Sequence, residues 1–113
     1  MTAAAPLLSI LIVSYNTRDL LRECLVSVVA ATHALPSEII VVDNASSDGS
    51  VAMVSKSFPQ VQVIANSENR GFAAANNQAY AISSGPYVLM LNPDTLVRGD
   101  AMDSVMRALE ELT

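Results

Sequence analysis

Three short polar clusters carry the residues that could do chemistry: Ser14-Tyr15-Asn16, Asp43-Asn44 and Asn92-Pro93-Asp94-Thr95. Asp43 follows four apolar β-branched residues, Ile39, Ile40, Val41 and Val42. Two readings of it stand. Asp-Asn is favoured where a strand hands over to a loop, which makes Asp43 a turn former. Equally, its carboxylate can accept a hydrogen bond from the imide N–H of uracil, thymine or guanine, or from a ribose hydroxyl. Asp94 also has two readings. Asn-Pro-Asp is a good turn, and Asp94 could offer oxygen ligands to Mg2+ or Mn2+, the hard cations that bridge diphosphates. A single carboxylate becomes a metal site when a ligand's phosphate oxygens complete the shell.

A further segment, Arg70-Gly71, precedes an Ala-rich stretch. Arg70 can pair with a phosphate or stay solvated. Gly71 starts a helix in which Ala73–Ala75 are expected in the core. Adjacent Asn76 and Asn77 lower helix propensity, so at least one of them should face a polar neighbour. His33 suits the C-terminal end of a helix. Cys24 reads as a small core residue, and the five Met as core filler.

Composition narrows the classes. The chain has 113 residues, enough for one domain or part of a larger one, and is 51% hydrophobic and 15% charged, which excludes a disordered tail. A net charge of -5 leaves no basic footprint for nucleic acid. One Cys and one His cannot build a structural zinc site or an intrachain disulfide. No G-x-G-x-x-G, Walker A loop or G-x-S-x-G elbow is present. Dinucleotide oxidoreductases, P-loop phosphohydrolases and serine hydrolases are therefore disfavoured. No stretch reads as a membrane span or a signal peptide, so the expected setting is cytoplasmic.

The elements that must position these clusters alternate. Leu7–Tyr15 is a continuous apolar run, as a parallel strand covered on both faces requires. Asn16 or Thr17 can cap a helix carrying Leu20, Leu21, Cys24, Leu25, Val28 and Val29. Glu38–Asp43 is a second strand. Ser46, Ser47 and Asp48 offer caps for a weaker helix that ends near Phe58, before Pro59. Val61–Ala65 is a third strand, Asn66–Gly71 a loop, Phe72–Ser83 a helix and Tyr87–Leu91 a fourth strand. Asp100 caps a last helix with Met102, Val105, Met106, Leu109 and Leu112 on one face. Such alternation implies an α/β domain with a mainly parallel sheet. In the doubly wound order 3-2-1-4, all three clusters fall at the carboxyl ends of strands, where such sheets bind ligands.

Taken together, the clusters resemble inverting nucleotide-sugar glycosyltransferases of family 2, with the Rossmann-like GT-A fold, and especially their rhamnosyltransferase-like branch. The matching text is Ser9-Ile-Leu-Ile-Val-Ser-Tyr-Asn16, Glu38-Ile-Ile-Val-Val-Asp-Asn-Ala-Ser-Ser-Asp-Gly-Ser50, Asn69-Arg-Gly-Phe-Ala-Ala-Ala-Asn-Asn77 and Tyr87-Val-Leu-Met-Leu-Asn-Pro-Asp94. The resemblance implies a nucleotide site of Ser14, Tyr15, Asn16, Asp43 and Asn92, with Tyr15 close to the base and Asp43 on its N–H. Asn92-Pro93-Asp94 stands where the family has D-x-D. Asp94 would meet Mg2+ or Mn2+ and the diphosphate, while Asn92 replaces the Asp that usually reaches the ribose. Arg70, Gly71, Asn76 and Asn77 would border the sugar diphosphate.

The implied donor is a UDP-, dTDP- or GDP-linked sugar, and the implied acceptor of the parent enzyme is a saccharide or lipid-linked. Residues 1–113 match only the nucleotide-binding part, so the general base is expected beyond Thr113, with no catalytic residue in this chain. The outer edge of the fourth strand is expected to be free for self-association. The full-length parent could sit peripherally at the inner face of the membrane. Two other functions remain open at this point: a non-catalytic nucleotide-binding or scaffolding module, and a nucleotidyltransferase-like enzyme. The latter usually carries a Gly-rich basic loop where this chain has Ser14-Tyr15-Asn16-Thr17.

Overall fold

The computed structural model describes residues 5–112, without the side chains of Met106 and Leu112. Those two positions of the expected apolar face therefore lie outside the described set. Four strands and four helices alternate: β1 (Leu8–Ser14), α1 (Arg18–Thr32), β2 (Ser37–Asp43), α2 (Ser50–Ser57), β3 (Gln62–Ala65), α3 (Phe72–Ile82), β4 (Tyr87–Leu91) and α4 (Gly99–Leu112). The sheet runs β3-β2-β1-β4, all parallel, as the alternation predicts.

Every residue of β1 is buried, because it lies at the centre of the sheet with helices on both faces. Ile10, Ile12, Ile39 and Val41 face α1, α2 and α4, packing on Leu21, Leu25, Val28, Val54 and Met102. Leu11, Val13, Ile40 and Val42 face α3, where only Ala75 and Ala79 complete the buried cluster. Small side chains let α3 lie close to the sheet. Ala73 and Ala74 are exposed, contrary to the expected core stretch. A helix laid on a sheet through an i, i+4 stripe turns its intervening residues to solvent.

Several boundaries and caps differ from the sequence reading, and those beside the strand ends have a physical reason. Tyr15 lies outside β1, since its neighbour Asn16 takes a positive φ of 50° and breaks the extended run. Thr17 and Gly49 hold the N-cap positions of α1 and α2, and neither makes a side-chain cap. Asp48 does that work for both helices. Its Oδ2 accepts from Arg18 N at 2.9 Å, and its Oδ1 accepts from Ser50 N at 3.1 Å. Finally, α4 begins at Gly99, which puts Asp100 in the first turn rather than at the cap.

Among the described residues β4 is an edge strand that pairs only with β1. Along it Met90 is 58% exposed, as is Leu96 beyond it at 64%. No helix among the described residues is long and apolar enough to cross a membrane.

Candidate functional site

The carboxyl ends of β1, β2 and β4 lie side by side. Ser14 pairs with Asp43 in register, and Ile12 with Leu91, so Asn92 emerges one residue past β4 at the same rim. Asn44 N donates to Ser14 O at 2.9 Å, which carries the β1–β2 ladder past both strand ends.

Asp43 is buried, with 2% of its surface exposed. Its Oδ2 accepts from Ser46 N at 2.9 Å, closing a short turn. Its Oδ1 is buried and has no partner, the sole such side-chain nitrogen or oxygen among the described residues. Leaving a buried acceptor unsatisfied costs about 1–3 kcal/mol, and a ligand N–H would offset that cost. The turn contact thus occupies one oxygen of Asp43, and the other is left open to a donor.

The loops around it are tied to one another. Asn16 N donates to Ser46 Oγ at 2.8 Å, while Ser47 N donates to Asn16 Oδ1 at 2.8 Å. Asn16 is therefore occupied in joining the β1–α1 and β2–α2 turns. The buried Ser14 hydroxyl shares a 2.8 Å hydrogen bond with Thr17 Oγ1. Tyr15 is half exposed beside these turns, its ring free to lie against a planar group. Arg18 Nη1 donates to Asp48 O at 3.2 Å, a further tie across the same gap. An open cavity of about 500 Å³ flanks the outer side of this junction; Asn16, Arg18 and Asp48 line it, whereas Asp43 and Asp94 do not.

A second network fixes the loop before α3. Buried Asn44 donates through Nδ2 to Gly71 O at 3.1 Å. Its Oδ1 accepts from Asn66 Nδ2 at 3.0 Å and from Arg70 N at 3.3 Å. Asn66 and Gln78 exchange a reciprocal amide pair at 2.8 and 2.9 Å. Gly71, with φ 82° and ψ 172°, turns the chain into α3 in a conformation that only glycine adopts easily. Arg70 is exposed at this rim, and its guanidinium has no ion-pair partner among the described residues. On α3, Asn76 is buried and Asn77 exposed. The polar partner expected for one of them is absent among the described side chains, and Gln78, one residue on, makes such contacts instead.

At the β4 end, Thr95 N donates to Asn92 O at 3.0 Å and closes a turn over Pro93 and Asp94. Asn92 and Asp94 are both exposed. Cys24 Sγ approaches Asn92 O at 3.9 Å, seating the turn on α1. Burial, and then the Asp94 charge, push the Cys24 thiol up to about 11, so it is inert packing at neutral pH. No group of three or more His, Cys, Asp or Glu able to hold a metal occurs among the described residues. Asp94 suits a hard cation only with oxygens from a ligand beside it, which is the chemistry of a diphosphate.

Sequence reasoning named Asn44 only within its cluster and Asp48 only as a cap for the second helix, and it missed Asn66 and Gln78. Polar character was the one signal available, since the partners that tie the loops lie 12 to 30 residues away.

The family model described as glycosyl transferase family 2 matches residues 9–113. TuaG of Bacillus subtilis, a glycosyltransferase named for teichuronic acid biosynthesis, is 32% identical over 114 residues, covering 98% of this chain and 45% of TuaG. Mannosyltransferase PcManGT from Pyrobaculum calidifontis, solved with GDP-Man and Mn2+, superposes with a TM-score of 0.79 at 26% identity, over 97% of this chain and 33% of that one. S. aureus TarS 1-349 in complex with UDP-GlcNAc superposes at 0.80 with 24% identity, over 92% of this chain and 31% of TarS, and shows the shared fold. The chain spans less than half the length of the relatives it matches.

Proposed function

The chain belongs to glycosyl transferase family 2, and from that premise we propose that residues 1–113 are the donor-binding part of an inverting glycosyltransferase. The parent enzyme transfers a hexosyl or rhamnosyl unit from a nucleoside diphosphate to a saccharide or lipid-linked acceptor, in cell-surface polysaccharide synthesis. One observation carries the reading: the buried, unpartnered Oδ1 of Asp43 at the rim where β1, β2 and β4 end.

In this reading Asp43 Oδ1 accepts the imide N–H of the base, while Ser46 N holds the other oxygen still. The base is thereby selected by a donor at one edge, and Tyr15 covers its face. Ser14 backs the pocket and Asn16 keeps its two turns together. Asn92 hydrogen-bonds a ribose hydroxyl. Arg70, held by Asn44, meets the diphosphate charge, and Gly71, Asn76 and Asn77 border the sugar-diphosphate side. Asp94 contributes a ligand to Mg2+ or Mn2+. When bound, the ion stabilises the negative charge that gathers on the leaving diphosphate. Asp43 and Asp48 are already engaged in turn and cap contacts, so neither is assigned as the base that deprotonates the acceptor. These residues alone bind donor and transfer no sugar.

A thermal-shift panel of UDP, dTDP and GDP at millimolar concentration, with and without Mn2+, tests the proposal. Ligand that binds only the folded state at 100 times its Kd adds about 2.7 kcal/mol. The expected result is a rise in Tm with at least one nucleotide, larger with Mn2+. No shift with any of the three contradicts it.

A further inference from the structure

At the other end of the sheet from the rim of Ser14, Asp43 and Asn92, a second polar cluster surrounds Glu38. Its Oε2 accepts from Ser9 Oγ at 2.5 Å, Ser84 N at 2.5 Å, Ser84 Oγ at 3.1 Å and Gly85 N at 3.3 Å. Gly85 N is shared with Ser9 Oγ at 2.9 Å, and Glu38 Oε1 accepts from Gln62 Nε2 at 3.2 Å. One carboxylate on β2 thus gathers donors from β1, from β3 and from the connection between α3 and β4. Every one of these donors is a neutral hydroxyl or amide.

The connection lies tight against β1. A Cβ at Gly85 would sit 2.7 Å from Ser9 Oγ, 3.0 Å from Ser9 N and 3.1 Å from Leu8 C, so a side chain there would force the connection or β1 to shift. Pro86 brings no N–H of its own, so Ser84 and Gly85 make the polar anchorage just before the strand. β4 needs such an anchor, since as an edge strand it has one neighbour and five paired residues. A slip of one residue would displace its far end by about 3.3 Å and turn Tyr87, Leu89 and Leu91 away from the core.

We infer that Glu38 is a positioning residue for the Asn92–Asp94 turn: it pins the register of β4 on β1, and so sets where Asp94 stands relative to Asp43. The inference rests on the donor-binding reading above. Asp43 is on β2 and is placed by the β1–β2 ladder, whereas Asp94 follows β4, which has β1 as its one neighbour, and past the strand its turn rests on α1 through Cys24 and Ser27. Loss of the pin should therefore separate the two halves of the site. A purely structural role would weaken both together.

The test compares wild type, E38A and E38Q, using calorimetry with UDP, dTDP and GDP in Mn2+ or in chelator, and amide NMR shifts without ligand. E38A should weaken Mn2+-dependent binding by about tenfold or more while leaving chelated binding within about twofold. Glutamine keeps one acceptor oxygen in the same place, so E38Q should restore most of the loss. In the free protein, E38A should shift the amides of Asn92, Asp94 and Thr95 and leave those of Asp43–Ser47 unmoved. Should E38A fail to fold, S9A removes one anchor of the same connection and should give the same shift pattern in milder form. Equal weakening with and without Mn2+, no weakening, or shifts spread evenly over both rims would overturn the inference. If wild type binds no nucleotide, the donor-binding reading fails, and the shift pattern alone still decides whether Glu38 pins β4.

Discussion

Single carboxylates divide here by what their oxygens meet. Asp43 keeps one oxygen for its own turn and leaves one buried and free. Asp48 uses both to cap helices. Burial pushes the Glu38 carboxyl upward, but hydrogen bonds from Ser84, Ser9 and Gly85 outweigh it and hold the group below its ordinary 4.5. The Ser50 hydroxyl, aided by the Arg18 and Ser50 amides, outweighs the effect of burial and holds Asp48 below its ordinary 3.8. Both groups are depressed in the fold, so the unfolded chain takes up their protons first as pH falls. Their contribution is complete above the ordinary carboxylate values and is lost as pH drops through the folded ones. We expect Tm to hold from pH 7 to about 5.5 and to fall more steeply below about 4.5 than it does in E38Q or D48N. Parallel Tm curves for wild type and both variants below that point would contradict the assignment.

At the scale of elements, apolar patterning, together with caps, Pro and Gly stops and an Ala-rich run, made all eight segments legible. The four β-branched residues before Asp43 mark β2, and the i, i+4 run from Leu21 to Val28 marks α1. Asp43 and Asp94 were legible as strand-end carboxylates. What ties their loops was not, because Asp48 caps α1 across 30 residues of sequence and Glu38 reaches Ser84 across 46. Local propensity carries no trace of a partner so distant. The exposed outer edge of β4 was expected from its place in the order, and it has a consequence of its own. Beside it, Leu89, Leu91, Leu96, Val97, Met102 and Val105 line an apolar cavity of about 280 Å³. An unpaired edge next to apolar surface favours association. Sedimentation should show self-association that rises with concentration and is suppressed by Met90→Lys. Monomers at every concentration in both proteins would rule it out.

At the scale of the whole molecule, the sheet has two polar ends. Its amino ends carry the Glu38 cluster, and its carboxyl ends carry the rim of Ser14, Asp43 and Asn92. The chain's net charge of -5 opposes a diphosphate, so in the proposed donor site anion binding would fall to local groups, Arg70 and a cation at Asp94. Base recognition needs neither. The central claim is therefore a division of labour, with Asp43 reading the base and Asp94 holding metal and diphosphate. Calorimetric titration of wild type, Asp43→Ala and Asp94→Ala with the nucleotide that shifts Tm most, in Mn2+ and in chelator, tests it directly. Asp43→Ala removes a hydrogen bond to a charged group, about 1.5–3 kcal/mol, and should weaken binding by one to two decades in both conditions. Asp94→Ala should abolish the gain from Mn2+ and leave the weaker chelated binding nearly unchanged. If both variants bind like wild type, the rim of β1, β2 and β4 is not the nucleotide site.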